Sequence, residues 1–335
     1  MTAYTRYVAL GDSQTEGLGD GDELNGHRGW ADRLAEHLAG ANPGLLYANL
    51  AVRGRLAGQI RAEQLAAALA LRPDLATVMA GMNDIIRPGF DAALVAGVLE
   101  EMFAALTESG AHVVTITFPD IGKIAPMARP LRPRVLDFNA RIRDAAARHG
   151  VTLVDTFAME FVTDARMWGV DRLHASPTGH ARIAAAMAHS LGLPGSDDTW
   201  ALPFPPVPAP GAWRVAAAEM RWLATFAGPW IGRRLRGRSS GDGRTAKRPE
   251  LTPWGRSTAG TSSTPTCPAR LDVPHPAPDE AADPRDPLLD HAVGLEEPVL
   301  RQVGELRPHE RLVRREGDEA RGGEPFERRA GAEPG

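Results

Sequence analysis

The stretch YVALGDSQTEG, residues 7–17, determines how the rest of the sequence is interpreted. An apolar run ends there at Gly-Asp-Ser, a triplet that contributes almost nothing to a hydrophobic core. Ser13 is either an ordinary helix cap after a strand, since serine is a favoured capping residue, or a nucleophile placed at the end of a strand. The downstream sequence has to separate these two interpretations.

Apolar runs of this kind recur along the first 193 residues and alternate with helical stretches. The five predicted strands are residues 7–11, 45–52, 75–81, 112–118 and 151–156. The predicted helices are residues 28–40, 56–70, 91–110, 132–150 and a last helix that starts at Pro177 with Ser176 as its cap. Because the strands are apolar on both faces and alternate with helices, the pattern predicts an α/β domain over residues 1–193, built on a doubly wound parallel sheet.

The composition changes twice after that domain. Residues 194–238 begin as a Pro-rich linker and continue as a Trp- and Arg-rich helix, residues 211–238. We expect this helix to pack back on the domain, with a weak contact to a membrane surface as the alternative. Residues 239–335 are rich in Pro, Gly, Arg and Glu, and they carry too little apolar surface to offset the entropy of ordering. A low-complexity, disordered tail is therefore predicted there.

The overall charge argues against nucleic acid as a partner. The chain has 42 acidic and 38 basic side chains, and its formal net charge is −4. A single cysteine, Cys267, excludes an internal disulfide framework. The N-terminus lacks the segments of a secretory signal, and the sequence contains no run of about 18 apolar residues that could span a bilayer. We therefore expect the protein to be cytoplasmic.

Polar clusters stand at the ends of the predicted strands. They are Gly11-Asp12-Ser13 after the first strand, Arg53-Gly54 after the second, Gly81-Met82-Asn83-Asp84 after the third, and Asp171-Arg172-Leu173-His174 between the fifth strand and the last helix. In open α/β sheets, ligands bind beyond the carboxyl ends of the strands. The four clusters are therefore expected to meet at one edge of the sheet.

Together these residue types are the ones that acyl transfer needs. A serine hydroxyl becomes a good nucleophile when a histidine takes its proton, and a carboxylate on the other ring nitrogen orients that histidine. Asp171 and His174 are three residues apart, so one loop can present both side chains. His180 competes for the role of base, but no aspartate lies three residues before it. The site shows no convincing set of metal ligands, so we expect neither a metal nor another cofactor.

The four clusters resemble the four conserved blocks of the SGNH hydrolases, also called the GDSL esterase/lipase family. GDSQTEG, Gly54, GMND and DRLH occur in the family's order over residues 5–193. The resemblance implies the SGNH hydrolase fold, a flavodoxin-like three-layer α/β/α sandwich with a five-stranded parallel sheet. It also implies Ser13 as nucleophile, His174 as base and Asp171 as its partner. The oxyanion hole would then consist of Ser13, Gly54 and Asn83.

The expected function is that of a serine esterase or lipase that cleaves carboxylic esters through an acyl-enzyme intermediate. Its substrate would be a small-molecule, lipid or acylated-sugar ester, since the family acts on several such classes. Two alternatives remain open at this point. An acyltransferase would use the same triad with an acceptor alcohol in place of water. A catalytically silent lipid- or glycan-binding module would use residues 211–238 as a tether to a surface.

Overall fold

A six-stranded sheet lies at the centre of the residues that the computed structural model describes, which are 3–208, 211–229, 232 and 240–255. The strands of this sheet are β1 (Arg6–Gly11), β4 (Leu46–Asn49), β5 (Leu75–Met79), β6 (His112–Ile116), β7 (Thr152–Val154) and β8 (Arg248–Pro253). Their order is β7-β6-β5-β1-β4-β8, and the first five are parallel. Two short strands, β2 (Gly21–Asp22) and β3 (Gly26–His27), form a separate antiparallel ribbon.

Helices flank this sheet. They are α1 (Ser13–Glu16), α2 (Trp30–Ala41), α3 (Ala57–Ile60), α4 (Ala66–Ala70), α5 (Met82–Ile85), α6 (Ala92–Glu108), α7 (Ile121–Ile124), α8 (Arg132–His149), α9 (Pro177–Ser190) and α10 (Ala212–Trp222). A π-helical turn, Arg61–Leu65, joins α3 to α4, and another, Leu223–Ala227, continues α10. Helix α6 packs against α8, and α2 packs against α9. The predicted α/β fold with its parallel sheet is therefore confirmed.

Polar caps set where the helices begin. The Ser176 hydroxyl accepts a hydrogen bond from the Gly179 N–H at 3.1 Å, and Pro177 occupies the first position of α9. The Asp91 carboxylate accepts from two backbone N–H groups in the first turn of α6. Because these side chains satisfy N–H groups that have no partner inside the helix, they fix where α6 and α9 start against the sheet.

Strand β1 lies between β4 and β5, at the middle of the parallel sheet. The chain runs from β1 to β4 on one side and then returns to β5 on the other side. The carboxyl end of β1 is therefore a topological switch point, where the loops after neighbouring strands diverge and leave a crevice. Any site built from the ends of β1, β4 and β5 has to open there.

Aromatic side chains connect β1 and β4 inside the core. The Tyr7 and Tyr47 rings stack with their centroids 5.0 Å apart, and both residues are fully buried. The Tyr7 hydroxyl shares a hydrogen bond with the Thr77 hydroxyl at 3.0 Å, and the Tyr47 hydroxyl donates to Asp32 Oδ1 at 3.2 Å. Burying a hydroxyl without a partner is costly. These bonds therefore allow two large polar aromatics to lie in the centre of the fold.

The chain after α9 is held against the domain at several points. Trp200 packs into the core, with its ring 6.0 Å from that of Phe161. The Arg182 guanidinium lies 3.8 Å from the centroid of the Phe204 ring. In α10, Trp222 is 7 % exposed, whereas Trp213 is 75 % exposed. The segment predicted as a linker and helix thus packs on the domain along part of its length, and residues 230–231 and 233–239 lie outside the described residues.

The C-terminal strap, residues 240–255, differs from the sequence prediction. A disordered tail is predicted from residue 239, but Arg248–Pro253 forms β8, which pairs antiparallel with β4. The prediction is wrong for the strap because its stabilisation comes from the edge of the sheet and not from its own apolar content. The Arg248 guanidinium lies 5.4 Å from the Tyr47 ring centroid and 5.6 Å from that of Trp254. Residues 256–335 of the predicted tail lie outside the described residues.

Lys247 anchors the strap close to the first polar cluster. Its ammonium group donates to the Glu16 carbonyl at 2.5 Å, to the His27 carbonyl at 2.9 Å and to Asp32 Oδ2 at 2.6 Å. An ammonium group has three N–H donors, so all of them are used. Glu16 ends α1, the helix that begins with Ser13. The strap therefore stabilises the segment on which the candidate nucleophile lies.

We predict that Lys247→Met lowers the free energy of unfolding by about 1–3 kcal/mol, because Asp32 and two backbone carbonyls then lose a charged donor. Urea denaturation of the full chain measures this change. Lys123→Met is the matched control, since Lys123 is the only other lysine of the sequence and is exposed. Equal stability of the two variants would show that the strap is not anchored as described.

Candidate active site

Ser13 lies directly after β1, at the first position of α1. Gly11 allows the tight turn between them, since a Cβ on it would lie 2.2 Å from Thr15 Oγ1 and 2.7 Å from the Met79 carbonyl oxygen. The Asp12 carboxylate caps α1 by accepting from the Gln14 N–H at 3.2 Å. The turn therefore presents Ser13 at the carboxyl edge of the sheet, beyond the end of the central strand.

Gln64 holds the end of β1 in place. Its side-chain oxygen accepts from the Gly11 N–H at 2.9 Å, and its side-chain nitrogen donates to the Gly11 carbonyl at 2.9 Å. Gln64 lies in the π-helical turn Arg61–Leu65 and is almost completely buried. π-helical turns inside helices often occur at functional sites. The only sign of this role in the sequence is a glutamine within an otherwise Ala-rich helical stretch, so Gln64 was not among the predicted site residues.

The second polar cluster is tied to α1 by a buried ion pair. The Arg53 N–H donates to Glu16 Oε2 at 2.7 Å, and Arg53 Nε donates to Glu16 Oε1 at 2.9 Å. Both side chains are nearly inaccessible to solvent. Gly54 follows with φ of 75°, a left-handed conformation that suits glycine. The ion pair thus fixes the loop that carries Gly54 relative to the helix that carries Ser13. No local sequence pattern marks Glu16 for this role.

The third cluster begins at Gly81, whose φ is 117°. A Cβ on Gly81 would lie 2.5 Å from the Phe138 ring, so glycine is required there. Asn83 follows in α5, and its Nδ2 donates to Asp12 Oδ2 at 2.9 Å and to the Arg55 carbonyl at 3.1 Å. The Asn83 side chain therefore joins the loop after β4 to the loop after β1.

The carboxylate of Asp84 accepts a hydrogen bond from the backbone of a neighbouring helix. Its Oδ2 accepts from the Ala57 N–H at 3.0 Å, which holds the start of α3 against α5. Burial raises the pKa of Asp84 to about 6. Burial likewise raises the pKa of Asp12 to about 6, although hydrogen bonds from Gln14 and Asn83 and the nearby His174 oppose the effect.

Asp171 and His174 form a hydrogen-bonded pair in one loop. His174 Nδ1 lies 2.7 Å from Asp171 Oδ2. Asp171 Oδ1 also accepts from the backbone N–H groups of Leu173 and His174, each at 3.0 Å. Burial opposes ionisation of Asp171, but these three hydrogen bonds and the charge of His174 outweigh it and lower its pKa. Asp171 is therefore an ionised, fixed partner that orients the imidazole ring.

Gln14 links the Ser13 helix to the Asp–His loop, residues 169–175. Its Nε2 donates to the Leu173 carbonyl at 2.8 Å, and its Oε1 accepts from the Ala175 N–H at 3.1 Å. The two bonds lie on either side of His174, so they fix that residue relative to Ser13. Gln14 was not among the predicted site residues either, although its place directly after Ser13 is a signal that it faces the same crevice.

All five predicted site residues line one cavity of about 360 Å³. They are Ser13, Gly54, Asn83, Asp171 and His174. No hydrogen bond joins the Ser13 hydroxyl to the His174 ring, both of which belong to the described part of the chain. Catalytic hydrogen bonds are often long or poorly aligned until substrate binds. The structure therefore brings the five residues to one crevice, with the Asp–His pair already formed.

The cavity is mainly apolar away from these residues. Its apolar lining comes from the ends of β5 and β6, from the segments after β6 and β7 and from the π-helical turn after α10. It includes Met79, Ile116, Phe118, Ile124, Val162 and Phe226. Ser240 of the C-terminal strap also contacts it. Small-molecule sites are typically concave and apolar with a few fixed polar groups, and this cavity has that character.

His180, the competing histidine, belongs to the core. It is fully buried, its Nδ1 accepts from the Trp30 N–H at 3.1 Å, and its Nε2 donates to the Leu18 carbonyl at 2.9 Å. Burial lowers its pKa to about 4. Both ring nitrogens bond to the backbone and the ring lies away from the cavity lining, so His180 joins α9 to α2 and to the loop after α1.

Two further observations concern the described residues only. Among them, no helix is long and apolar enough to cross a membrane. In the same part of the chain, no three His, Cys, Asp or Glu side chains are grouped so that they could hold a metal ion. The cytoplasmic location stays a prediction from the sequence, as does a contact of residues 211–238 with a membrane surface.

Solved structures are similar to more than half of this chain. A catalytic mutant of Axe2, an acetylxylan esterase from Geobacillus stearothermophilus, matches with a TM-score of 0.50 and 18 % identity, over 60 % of this chain and 98 % of that one. LAE5, an alpha/beta hydrolase enzyme from the metagenome of Lake Arreo, Spain, matches with a TM-score of 0.49 and 23 % identity, over 57 % and 97 %. TesA matches with a TM-score of 0.45 and 24 % identity, over 56 % and 98 %. No curated protein matches the chain.

The α/β fold, together with the family match that follows, supports an enzyme that hydrolyses ester bonds. The sequence profile of the GDSL-like Lipase/Acylhydrolase family matches residues 9–182, which is more than half of the chain, and the protein belongs to this family. The matched residues include all four polar clusters at the strand ends. They do not include α10 or the C-terminal strap.

The burial of His180 generates a prediction about the pH dependence of stability. Because its pKa is lowered to about 4, the unfolded chain takes up a proton near pH 6.5 while the folded chain does not. This contribution to stability is complete above pH 6.5 and is lost as the pH falls to 4, by an amount on the order of 3 kcal/mol.

His180→Gln keeps an acceptor and a donor but cannot be protonated. We expect the wild type to lose stability relative to this variant between pH 6.5 and 4, as measured by urea denaturation at several pH values. Esterase activity of His180→Gln at pH 7 should persist, since His180 does not line the cavity. A pH-independent difference in stability would contradict the neutral, buried state of this histidine.

Proposed function

We propose that the protein hydrolyses carboxylic esters through an acyl-enzyme intermediate on Ser13. His174 takes the proton of the Ser13 hydroxyl as the oxygen attacks the ester carbonyl, and Asp171 stabilises the imidazolium that forms. His174 then gives that proton to the leaving alcohol. In the second half of the reaction, water loses a proton to His174 and releases the acid, which regenerates the free serine.

The observation that carries this proposal is the 2.7 Å hydrogen bond between His174 Nδ1 and Asp171 Oδ2, in the wall of the cavity that Ser13 also lines. A carboxylate on Nδ1 leaves Nε2 as the acceptor, which is the tautomer that a general base needs. Gln14 bonds both sides of His174 and is the residue next to Ser13, so the base and the nucleophile are attached to each other through few intervening bonds.

For the oxyanion, we propose the backbone N–H groups of Ser13 and Gly54 and the side-chain amide of Asn83. For this assignment, Asn83 has to change a hydrogen-bond partner. Its Nδ2 donates to Asp12 Oδ2 and to the Arg55 carbonyl, so one of these donations has to be exchanged for the substrate oxygen. An oxyanion is a stronger acceptor than a neutral carbonyl, and the exchange is therefore favoured as negative charge develops in the transition state.

The apolar lining of the cavity supports esters with acyl chains longer than acetyl. Each buried methylene group contributes about 0.8 kcal/mol, which corresponds to roughly fourfold in kcat/KM per methylene until the cavity is filled. The cavity of about 360 Å³ has room for such a chain beside the polar groups. We therefore propose short- to medium-chain carboxylic esters as the substrate class.

The direct test is hydrolysis of p-nitrophenyl esters from acetate to palmitate. We expect kcat/KM to rise from acetate to the medium chains, and Ser13→Ala and His174→Ala each to remove nearly all turnover, a loss of up to about a millionfold when triad members act as a unit. Ser190→Ala, at the far end of α9, is the control. Equal rates for wild type and Ser13→Ala would refute the mechanism.

Replacing the proposed side-chain oxyanion donor tests the second assignment. Asn83→Ala should lower kcat by roughly a hundred- to a thousandfold, the scale of one oxyanion donor, because the interaction is made in the transition state. Asn25→Ala, in the exposed turn between β2 and β3, should leave the rate unchanged. A change confined to KM in Asn83→Ala would rule out the oxyanion role of this residue.

A further inference from the structure

The helix α10 lies against the Asp–His loop, although it is outside the residues that match the family. The indole N–H of Trp222 donates to the carbonyl oxygen of Asp171 at 2.9 Å. One turn earlier, Glu219 Oε1 accepts from the Arg172 guanidinium at 2.7 Å. The same guanidinium lies 5.0 Å from the centroid of the Trp222 ring. Two consecutive residues of the loop are therefore held by two side chains of one helix.

The loop has a conformation that needs such support. Arg172 has φ of 57°, in the left-handed region that residues other than glycine rarely adopt. This turn reverses the chain between Asp171 and His174, so the two side chains can meet. A sparsely populated backbone conformation persists where the surrounding structure fixes it. The Arg172 side chain, between Glu219 and the Trp222 ring, is the part of the turn that the helix fixes.

Trp222 itself occupies a defined position. It is 7 % exposed and packs with Ala125 and Ala227, and Ala125 belongs to the loop after β6 that lines the cavity. Its N–H group has the Asp171 carbonyl as acceptor, so the ring is held at both its apolar and its polar edge. Trp213, on the same helix, is 75 % exposed. The two tryptophans therefore offer a matched pair, one bonded to the loop and one exposed to solvent.

We propose that Trp222, together with the Glu219–Arg172 ion pair, is a positioning residue for the catalytic pair Asp171–His174. Helix α10 then contributes to catalysis by holding the Asp–His loop in place. Trp222 contacts neither substrate nor reacting atoms in this account, and it acts through the backbone of Asp171. This inference rests on the proposed function, because it assumes that His174 is the base and Asp171 its partner.

The test compares Trp222→Phe with Trp213→Phe in the full chain. Trp222→Phe keeps a buried aromatic ring but removes the N–H donor to Asp171. We expect kcat for a p-nitrophenyl ester to fall about three- to tenfold, the scale of one lost hydrogen bond, with KM within twofold of wild type. The acid limb of the kcat/KM profile should move to lower pH, because a less well-placed Asp171 stabilises the imidazolium less. Trp213→Phe should match wild type in both respects.

Glu219→Gln is the second variant and keeps the shape of the side chain while removing its charge. We expect a smaller fall in kcat, about twofold, and a shift of the acid limb of the kcat/KM profile to lower pH. These two results support the proposal even where Trp222→Phe fails to fold. If both variants fold and retain the wild-type kcat and pH profile while His174→Ala is inactive, the positioning role is overturned and the proposed mechanism stands. If His174→Ala retains wild-type activity, the proposed function fails, and the positioning role fails with it.

Discussion

The position of β1 between β4 and β5 is the constraint on which the site depends. Because the chain leaves β1 on one side of the sheet and returns on the other, the loops after three neighbouring strands meet at one edge. Ser13, Gly54 and Asn83 each follow one of these strands. Apolar strands buried on both faces make this order stable, since the sheet is covered by helices. The arrangement of polar groups in the crevice is thus a consequence of the strand order in the sheet.

The strand order brings the polar clusters to one edge of the sheet but does not fix the positions of their side chains. Hydrogen bonds and an ion pair between the clusters fix those positions. Gln64 makes two hydrogen bonds to the backbone of Gly11, and Glu16 forms an ion pair with Arg53. Gln14 makes hydrogen bonds to the backbone on both sides of His174. Removing one partner of a buried ion pair such as Glu16–Arg53 costs about 3–5 kcal/mol, since an unpaired charge is left behind. These contacts fix the end of β1, the loop that carries Gly54 and the Asp–His loop relative to one another.

The sequence predicted the elements and the strand-end clusters, because hydrophobic periodicity and glycine-bounded polar clusters are local signals. It did not predict the contacts between distant segments. Gln64 and Glu16 look like ordinary helix-surface residues until the fold brings Gly11 and Arg53 to them. The composition of residues 239–335, rich in Pro, Gly, Arg and Glu, predicts a disordered tail that includes the strap at residues 240–255. The ordering of the strap depends on the open edge of β4 and on acceptors near Glu16, Asp32 and His27, which no local pattern reveals.

The central claim is that Ser13 carries the acyl group, and covalent labelling tests it most directly. A fluorophosphonate reacts with the activated serine of a serine hydrolase, and trypsin releases residues 7–28, in which Ser13 is the only serine. Mass spectrometry of the labelled wild type should place one probe on that peptide, and none on the same peptide from Ser13→Ala. A probe attached to a different peptide, or esterase activity that survives without labelling of Ser13, would contradict the account.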